Sequence, residues 1–322
     1  MTVQRNSSRR ANRTLRWGVL GARSRIYRQR LRPAFDLAGQ RIIAEGSRRD
    51  GEASYADVIG NPLVDAVYIP LPNDVHADWV IRALEVGKHV LCEKPLTLSA
   101  ARTAELYEAA RLHGRHLSEA FMWPHHPRAQ RLVGLVAGGE LGRLVAHHAV
   151  FQYDIGKADD HRLDERGGGV LFDVGIYCLG PALLMAPAAH RGRAVATATR
   201  NEAGVDTATA GWVELGPGFA ASFVTCGEAP ARRYQEIVGT DGAIQIDNHV
   251  PGPERAGAIT VTRRDGSRDQ IDHGGANAYE RMVSAFVAEV GEGQAPWWPA
   301  SQSIRLAHLL DTLHQATRTP GA

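Results

Sequence analysis

The chain has 322 residues and 44% apolar content, enough to bury two cores, and its formal charge of +2 favours neither nucleic acid nor a membrane surface. Three cysteines, Cys92, Cys178 and Cys226, have no metal or redox spacing, and no segment is long and apolar enough to span a bilayer. Residues 1–14 are polar and Arg-rich and read as a disordered tail. Ser8-Arg9-Arg10 is followed by the first strand rather than by an apolar signal region, so a cytoplasmic protein is expected.

Leu15 to Gly21 is an apolar strand ending in glycine, followed by the turn Ala22-Arg23-Ser24-Arg25-Ile26 and a helix to about Leu37. Strand, tight turn and helix is the geometry that sets a pyrophosphate on a helix N-terminus. A full G-x-G-x-x-G would need glycine at position 23, where Arg23 stands, so Gly21, Arg23, Ser24, Arg25 and Ile26 are candidate contacts on a departed pattern. The second strand, Arg41 to Gly46, leads into Ser47-Arg48-Arg49. An NAD enzyme carries a carboxylate here for the ribose hydroxyl; a hydroxyl and two guanidiniums match the 2′-phosphate of NADP(H) instead. The alternative is an ordinary solvated arginine pair.

Ala66 to Pro70 reads as a third strand with the loop Leu71-Pro72-Asn73-Asp74, and a helix from about Val75 to Val86 follows. His89 to Cys92 is an apolar run expected as a buried parallel strand. At its end stands Lys94, one of only three lysines with Lys88 and Lys157 in a chain otherwise using arginine. Lysine is retained where a compact ammonium is needed. A helix over about 100–111 and a strand over 116–121 complete a βαβ alternation. Beyond Trp123 the pattern changes: a helix over 127–137, strands over 144–153, 207–214, 219–226, 234–239 and 242–247, a covering helix near 174–185, and helices over 278–292 and 301–318. Gly216-Pro217-Gly218 and Thr240-Asp241-Gly242 read as hairpin turns. The expected fold is α/β: a Rossmann-type parallel sheet over 15–124, then an α+β domain over 125–322 with a large, mostly antiparallel open sheet and its last helix packing back on the first domain.

Several runs together resemble the Gfo/Idh/MocA oxidoreductases: Gly18-Val19-Leu20-Gly21, Asp65 to Asn73 with His76, Gly87 to Leu96 containing Glu93-Lys94-Pro95, and Gly167-Gly168-Gly169 followed by Asp173-Val174-Gly175-Ile176-Tyr177. Tyr177, where inositol-type members carry histidine, resembles the ketoreductase-type branch. Within it, Ala77-Asp78-Trp79 and Phe121 to Pro127 resemble the deoxysugar-nucleotide 3-ketoreductases of antibiotic pathways, and Asp173 to Cys178 equally resembles dimeric dihydrodiol dehydrogenase. High Arg, Ala and Gly usage fits a high-GC genome. The resemblance implies NADP(H) held by the turns above, by the backbone of Leu71-Pro72-Asn73 and by Glu93 and Lys94. It also implies a dTDP-linked keto-sugar substrate and a homodimer or homotetramer paired through the open face of the second sheet. Against the family pattern, the stretch between Arg49 and Asp65 is short, so a trimmed crossover helix is expected.

Ketone reduction needs a hydride on carbon and a proton on oxygen, and the nicotinamide carries only the hydride. A tyrosine hydroxyl tuned by a nearby ammonium supplies the proton, so Tyr177 is the expected acid and Lys94 its tuner and the substrate orienter. Asp173, one helical turn before Tyr177, either orients Lys94 or caps the helix. His76 is a cofactor contact or helix surface. Trp123 and His126 are expected in the substrate wall, with no metal site, since adjacent His125 and His126 face opposite ways. Arg162 holds a substrate phosphate or carboxylate or is a solvated loop residue. Alternatives to sugar ketoreduction are a free-sugar or trans-dihydrodiol dehydrogenase and a non-catalytic NADP-binding sensor.

Overall fold

The computed structural model describes residues 14–51, 53–156, 160–186, 192–250 and 257–318. The expected N-terminal tail, apart from Thr14, and Lys157 lie outside them. Five parallel strands form the first sheet: β1 (Arg16–Leu20), β2 (Arg41–Gly46), β3 (Ala66–Ile69), β4 (His89–Glu93) and β5 (Leu117–Ala120), in the order β2-β1-β3-β4-β5. Helices α1 (Arg32–Leu37), α2 (Ala53–Gly60), α3 (His76–Glu85) and α4 (Ala100–Leu112) connect them. Because every strand runs the same way, Gly21, Ser47, Leu71 and Lys94 all emerge at one edge of the sheet, where such sheets bind ligands. The crossover between β2 and β3 is short yet keeps its helix: α2 has eight residues against ten in α3 and thirteen in α4. Ahead of α1, Tyr27–Leu31 winds as a π-helix, with the Arg32 N–H reaching the Tyr27 carbonyl just before Pro33, which has no donor to offer.

After α5 (Pro127–Ala137) the chain builds eight strands: β6 (Leu144–Asp154), β7 (Ala194–Arg200), β8 (Asp206–Gly216), β9 (Phe219–Cys226), β10 (Glu228–Gly239), β11 (Gly242–Asp247), β12 (Ile259–Arg263) and β13 (Arg268–Ile271). Their order is β13-β12-β11-β10-β6-β9-β8-β7, antiparallel throughout except where β6 runs parallel to β9. Strands β7, β12 and β13 are absent from the sequence expectation. β7 alternates small and threonine side chains, and β13 is a four-residue polar edge, so neither carries the apolar signal of a core strand. Both hairpin turns fall where expected, between β8 and β9 and between β10 and β11.

Helix α6 (Val170–Met185) lies on one face of this sheet and is buried nearly all round. It starts four residues earlier than its periodicity indicates, because the glycine run leads directly into it. Helices α7 (Ala278–Glu292) and α8 (Ala300–Ala316) return to the first half. Phe286 of α7 packs 5.0 Å from the Trp17 ring, which also meets Phe35 at 4.8 Å. On α8, Asp311 accepts the Ala100 N–H at 2.7 Å and Ser303 bonds the Tyr107 hydroxyl at 3.0 Å, which ties it to α4. Among the described residues no helix is long and apolar enough to cross a membrane.

Candidate active site

The turn after β1 is held by β2: the N–H groups of Gly21 and Ala22 both reach the Gly46 carbonyl at 2.9 Å. Gly21 has φ +105°, and a Cβ there would sit 3.1 Å from both the Pro70 carbonyl oxygen and the Leu71 side chain. Only glycine fits so close a strand crossing. One hydrogen bond, Ser24 N–H to Gly21 O at 2.9 Å, closes the turn, and the Ser24 hydroxyl accepts the Tyr27 N–H at 3.2 Å. Ile26 is half-buried, while Arg23 and Arg25 are exposed on the outside of the turn. The missing second glycine is therefore met by a tight turn that leaves both arginines exposed.

Arg48 and Arg49 are likewise exposed, with no ion pair among the described residues. Ser47 departs from expectation: it is buried and its hydroxyl donates to Asp50, so it shapes the turn. His76 is also corrected. It is neither helix surface nor free for a cofactor, because its ring is fully buried with one nitrogen 3.0 Å from the Pro95 carbonyl and the other 2.8 Å from the Leu71 carbonyl. It joins the loop after β3 to the loop after β4. Burial holds its pKa below the usual imidazole value. Asn73 turns its amide to the Gly167 carbonyl at 2.9 Å, docking the same loop on the glycine run. The backbone of Leu71-Pro72-Asn73 itself is half-buried at the sheet edge.

Lys94 follows β4. Glu93 fixes the approach with a buried carboxylate that accepts the Tyr68 hydroxyl at 2.7 Å and the Lys94 N–H at 3.2 Å; burial raises its pKa. It is a backbone and loop anchor, not a side chain open to a ligand. The Lys94 ammonium donates to the Asp173 carbonyl at 2.5 Å and to its carboxylate at 2.9 Å, with the two side chains only 13% and 16% exposed. Asp173 also accepts from the Tyr153 hydroxyl and lies 3.5 Å from Arg162 Nη1. Burial pushes its carboxyl up, but Lys94 and Arg162 reverse this and hold it below the ordinary value. Of the two readings for Asp173, orientation of Lys94 is the one realised. The helix cap is Gly169, and the free N–H of Leu171 is taken by Asp206 Oδ2 at 2.8 Å. The glycine run is needed for this approach, since a Cβ on Gly169 would fall 2.1 Å from Asp206 Oδ1.

Tyr177, one turn along α6, packs its ring between Phe121 at 5.5 Å and Phe151 at 5.4 Å, and the Lys94 ammonium stands 5.3 Å from its ring centroid. Sequence and structure agree on the neighbourhood but not on the tuning. Burial raises the Tyr177 pKa well above the usual phenol value, and Glu93 and Asp173 add to the rise. The Lys94 ammonium, bonded to Asp173 and set over the ring, does not offset this rise.

Three further expectations are corrected. Trp123 is buried, stacked 6.4 Å from Phe121, and its indole N–H donates to the His249 carbonyl at 3.0 Å, so it is core rather than substrate wall. His126 is fully buried and accepts the Arg128 N–H at 3.1 Å as the cap of α5. Arg162 is neither free for a substrate anion nor solvated. Its fork is closed on Asp160 at 2.8 and 2.7 Å, and that pairing holds the Asp160 carboxyl down to about 2. Among the described residues no group of three His, Cys, Asp or Glu is placed to hold a metal. Tyr153 and Arg233, which the sequence did not single out, both stand at the site. The alternation Ala149, Phe151, Tyr153 along β6 is the signal that sets Tyr153 on the inner face.

Comparison with known proteins gives the family of this chain. Residues 36–121 match the model of an oxidoreductase family with an NAD-binding Rossmann fold, and residues 129–245 match the Gfo/Idh/MocA C-terminal domain. A D-xylose 1-dehydrogenase (NADP(+)) of Haloferax volcanii is 34% identical, covering 95% of this chain and 98% of its own. The chain belongs to the Gfo/Idh/MocA oxidoreductase family. Another relative of this family member is the dTDP-3,4-didehydro-2,6-dideoxy-α-D-glucose 3-reductase of Saccharopolyspora spinosa, 30% identical over 94% of this chain and 98% of that one. Among solved structures, a 3-ketoreductase of Actinomadura kijaniata in complex with NADP and TDP-benzene superposes with a TM-score of 0.85 at 28% identity, covering 94% and 98% of the two chains.

Proposed function

We propose that this oxidoreductase reduces the C3 keto group of a dTDP-linked deoxysugar with NADPH, and that Tyr177 is the proton donor. The observation that carries the reading is the Lys94–Asp173–Tyr153 network beside Tyr177 at the cofactor edge of the parallel sheet. The 3-reductase relative and the ketoreductase with NADP and TDP-benzene support the substrate class.

The residues present fit NADP(H). Positive φ and tight contacts at 3.1 Å disfavour a side chain at Gly21, and Arg23, Arg25, Arg48 and Arg49 offer exposed guanidiniums at the ends of β1 and β2 for the diphosphate and 2′-phosphate. When bound, the dihydronicotinamide supplies a hydride to the carbonyl carbon. Lys94, held in place by Asp173, orients the ketone oxygen and stabilises the charge that grows on it. Tyr177 delivers the proton to that oxygen. Burial and the Glu93 and Asp173 carboxylates hold its pKa up, so the hydroxyl is protonated and gives up its proton only as negative charge builds on the ketone oxygen. Phe121 and Phe151 fix the ring and exclude water. Exposure of Val195 (60%) and Trp212 (40%), opposite each other on the open face of the eight-stranded sheet, supports pairing of two copies through that face.

A second reading is a free-sugar dehydrogenase, favoured by the 34% identity to the D-xylose enzyme. Loss of reduced-nicotinamide absorbance with a dTDP-linked 3-keto sugar, set against NADP(+) reduction with D-xylose, tests the two. Turnover with D-xylose alone overturns the ketoreductase proposal.

A further inference from the structure

Arg233 lies on β10 directly opposite Phe151 on β6, and both side chains face α6. Its guanidinium carbon stands 4.9 Å over the Phe151 ring, which in turn leans on Tyr177 at 5.4 Å. It is close enough to Tyr177 for its positive charge to act on the hydroxyl. The side chain is half-buried, its Nε is buried without a hydrogen-bond partner, and no carboxylate pairs with it among the described residues.

The other withdrawn arginines near the site are saturated. Arg128 donates to the carbonyls of Gly257, Asn248 and His249 at 2.8, 3.0 and 2.6 Å. Arg162 is closed on Asp160 and bonds the Tyr153 hydroxyl. Arg233 alone of the three has no hydrogen bond to its guanidinium among the described residues, and the group lies over the Phe151 ring. A half-buried guanidinium without a counter-ion suits an oxyanion with two acceptor oxygens. A free sugar or a dihydrodiol has no such group, while a nucleotide-linked sugar carries a diphosphate next to its reacting ring.

We propose that Arg233 is the specificity-determining residue that receives the diphosphate of the substrate. The assignment rests on the nucleotide-sugar reading above and deepens it by naming the protein group that distinguishes such a substrate from a free sugar. The sequence offers Arg162 for this task, but the ion pair with Asp160 removes it.

Calorimetric titration of dTDP, with thymidine as the phosphate-free control, into the NADPH-loaded full chain tests this in wild type, Arg233→Gln and Arg233→Lys. Arg233→Gln is expected to weaken dTDP about 10- to 100-fold, the effect of losing a charge-assisted hydrogen bond, with thymidine binding and NADPH binding retained. Arg233→Lys, which keeps charge but not the fork, should fall between. Steady-state turnover should place the loss in KM for the dTDP sugar. Equal dTDP affinity in wild type and both variants overturns the role of Arg233 while leaving the substrate class standing. A wild type that binds no dTDP overturns both.

Discussion

Asp173→Asn probes the hub of the site. The carboxylate meets the Lys94 ammonium at 2.9 Å and Arg162 at 3.5 Å and accepts from the Tyr153 hydroxyl. At an effective dielectric of about 20, a unit charge pair at the Lys94 distance has a gross attraction of roughly 6 kcal/mol. Much of that is offset by desolvation, and breaking a buried pair by removing one partner costs about 3–5 kcal/mol. Asparagine keeps an acceptor for Lys94, so the lower end, about 3 kcal/mol, is expected. For a chain of this size that lowers Tm by roughly 6 °C, at about 2 °C per kcal/mol. Turnover should fall on the order of 10²-fold, because a catalytic group displaced by about 1 Å loses that much.

The pH dependence gives a second handle on the same variant. Burial raises the Asp173 carboxyl, and the two cations more than compensate, so its folded pKa lies below the ordinary value of 3.8. A depressed folded pKa means the stabilisation is present above the unfolded value and lost as pH falls through the folded one. The Tm gap between wild type and Asp173→Asn should therefore be constant near neutrality and shrink below the ordinary carboxylate value. Melting followed by circular dichroism across that range, with steady-state turnover at neutral pH, checks both claims. A variant with wild-type Tm and wild-type turnover would refute the hub.

Two other substitutions follow from the geometry. Arg48→Asp should weaken NADPH by about 10-fold or more while leaving NADH nearly unchanged, as a guanidinium–phosphate contact requires; equal losses in fluorescence titrations would remove the 2′-phosphate assignment. Gly169→Ala forces a side chain onto φ +94° and into Asp206, whose carboxylate caps Leu171. Strain of about 1–2 kcal/mol and an uncapped N–H worth about 1–3 kcal/mol should lower urea stability; an unchanged midpoint would show that the glycine run is not a steric requirement.

The parallel half of the fold is legible in the sequence because its central strands β1, β3 and β4 are buried apolar runs stopped by glycine, proline or a charged residue, as in Val90-Leu91-Cys92-Glu93. The edges of the second sheet are not, since β7 and β13 expose one or both faces and carry no apolar stripe. Lys94, Asp173 and Tyr177 are legible because the glycine run and the Glu-Lys-Pro loop single them out. Trp123 and His126 mislead because their burial depends on partners that no local pattern names; the Trp123 indole is taken by a carbonyl 126 positions away. His76 misleads for a related reason, since its ring is enclosed between two loop carbonyls, one against each ring nitrogen. The choice between Arg162 and Arg233 depends on which guanidinium has a counter-ion. That is a property of the folded chain, set here by Asp160 two residues away and by Phe151 across the sheet.

The most direct test of the account is turnover of a dTDP-linked 3-keto sugar by Tyr177→Phe, measured beside its NADPH affinity. Loss of the proton donor should cut kcat by about 10²- to 10⁴-fold while NADPH binds as in wild type. Wild-type turnover by Tyr177→Phe would contradict the account and assign the proton to another group.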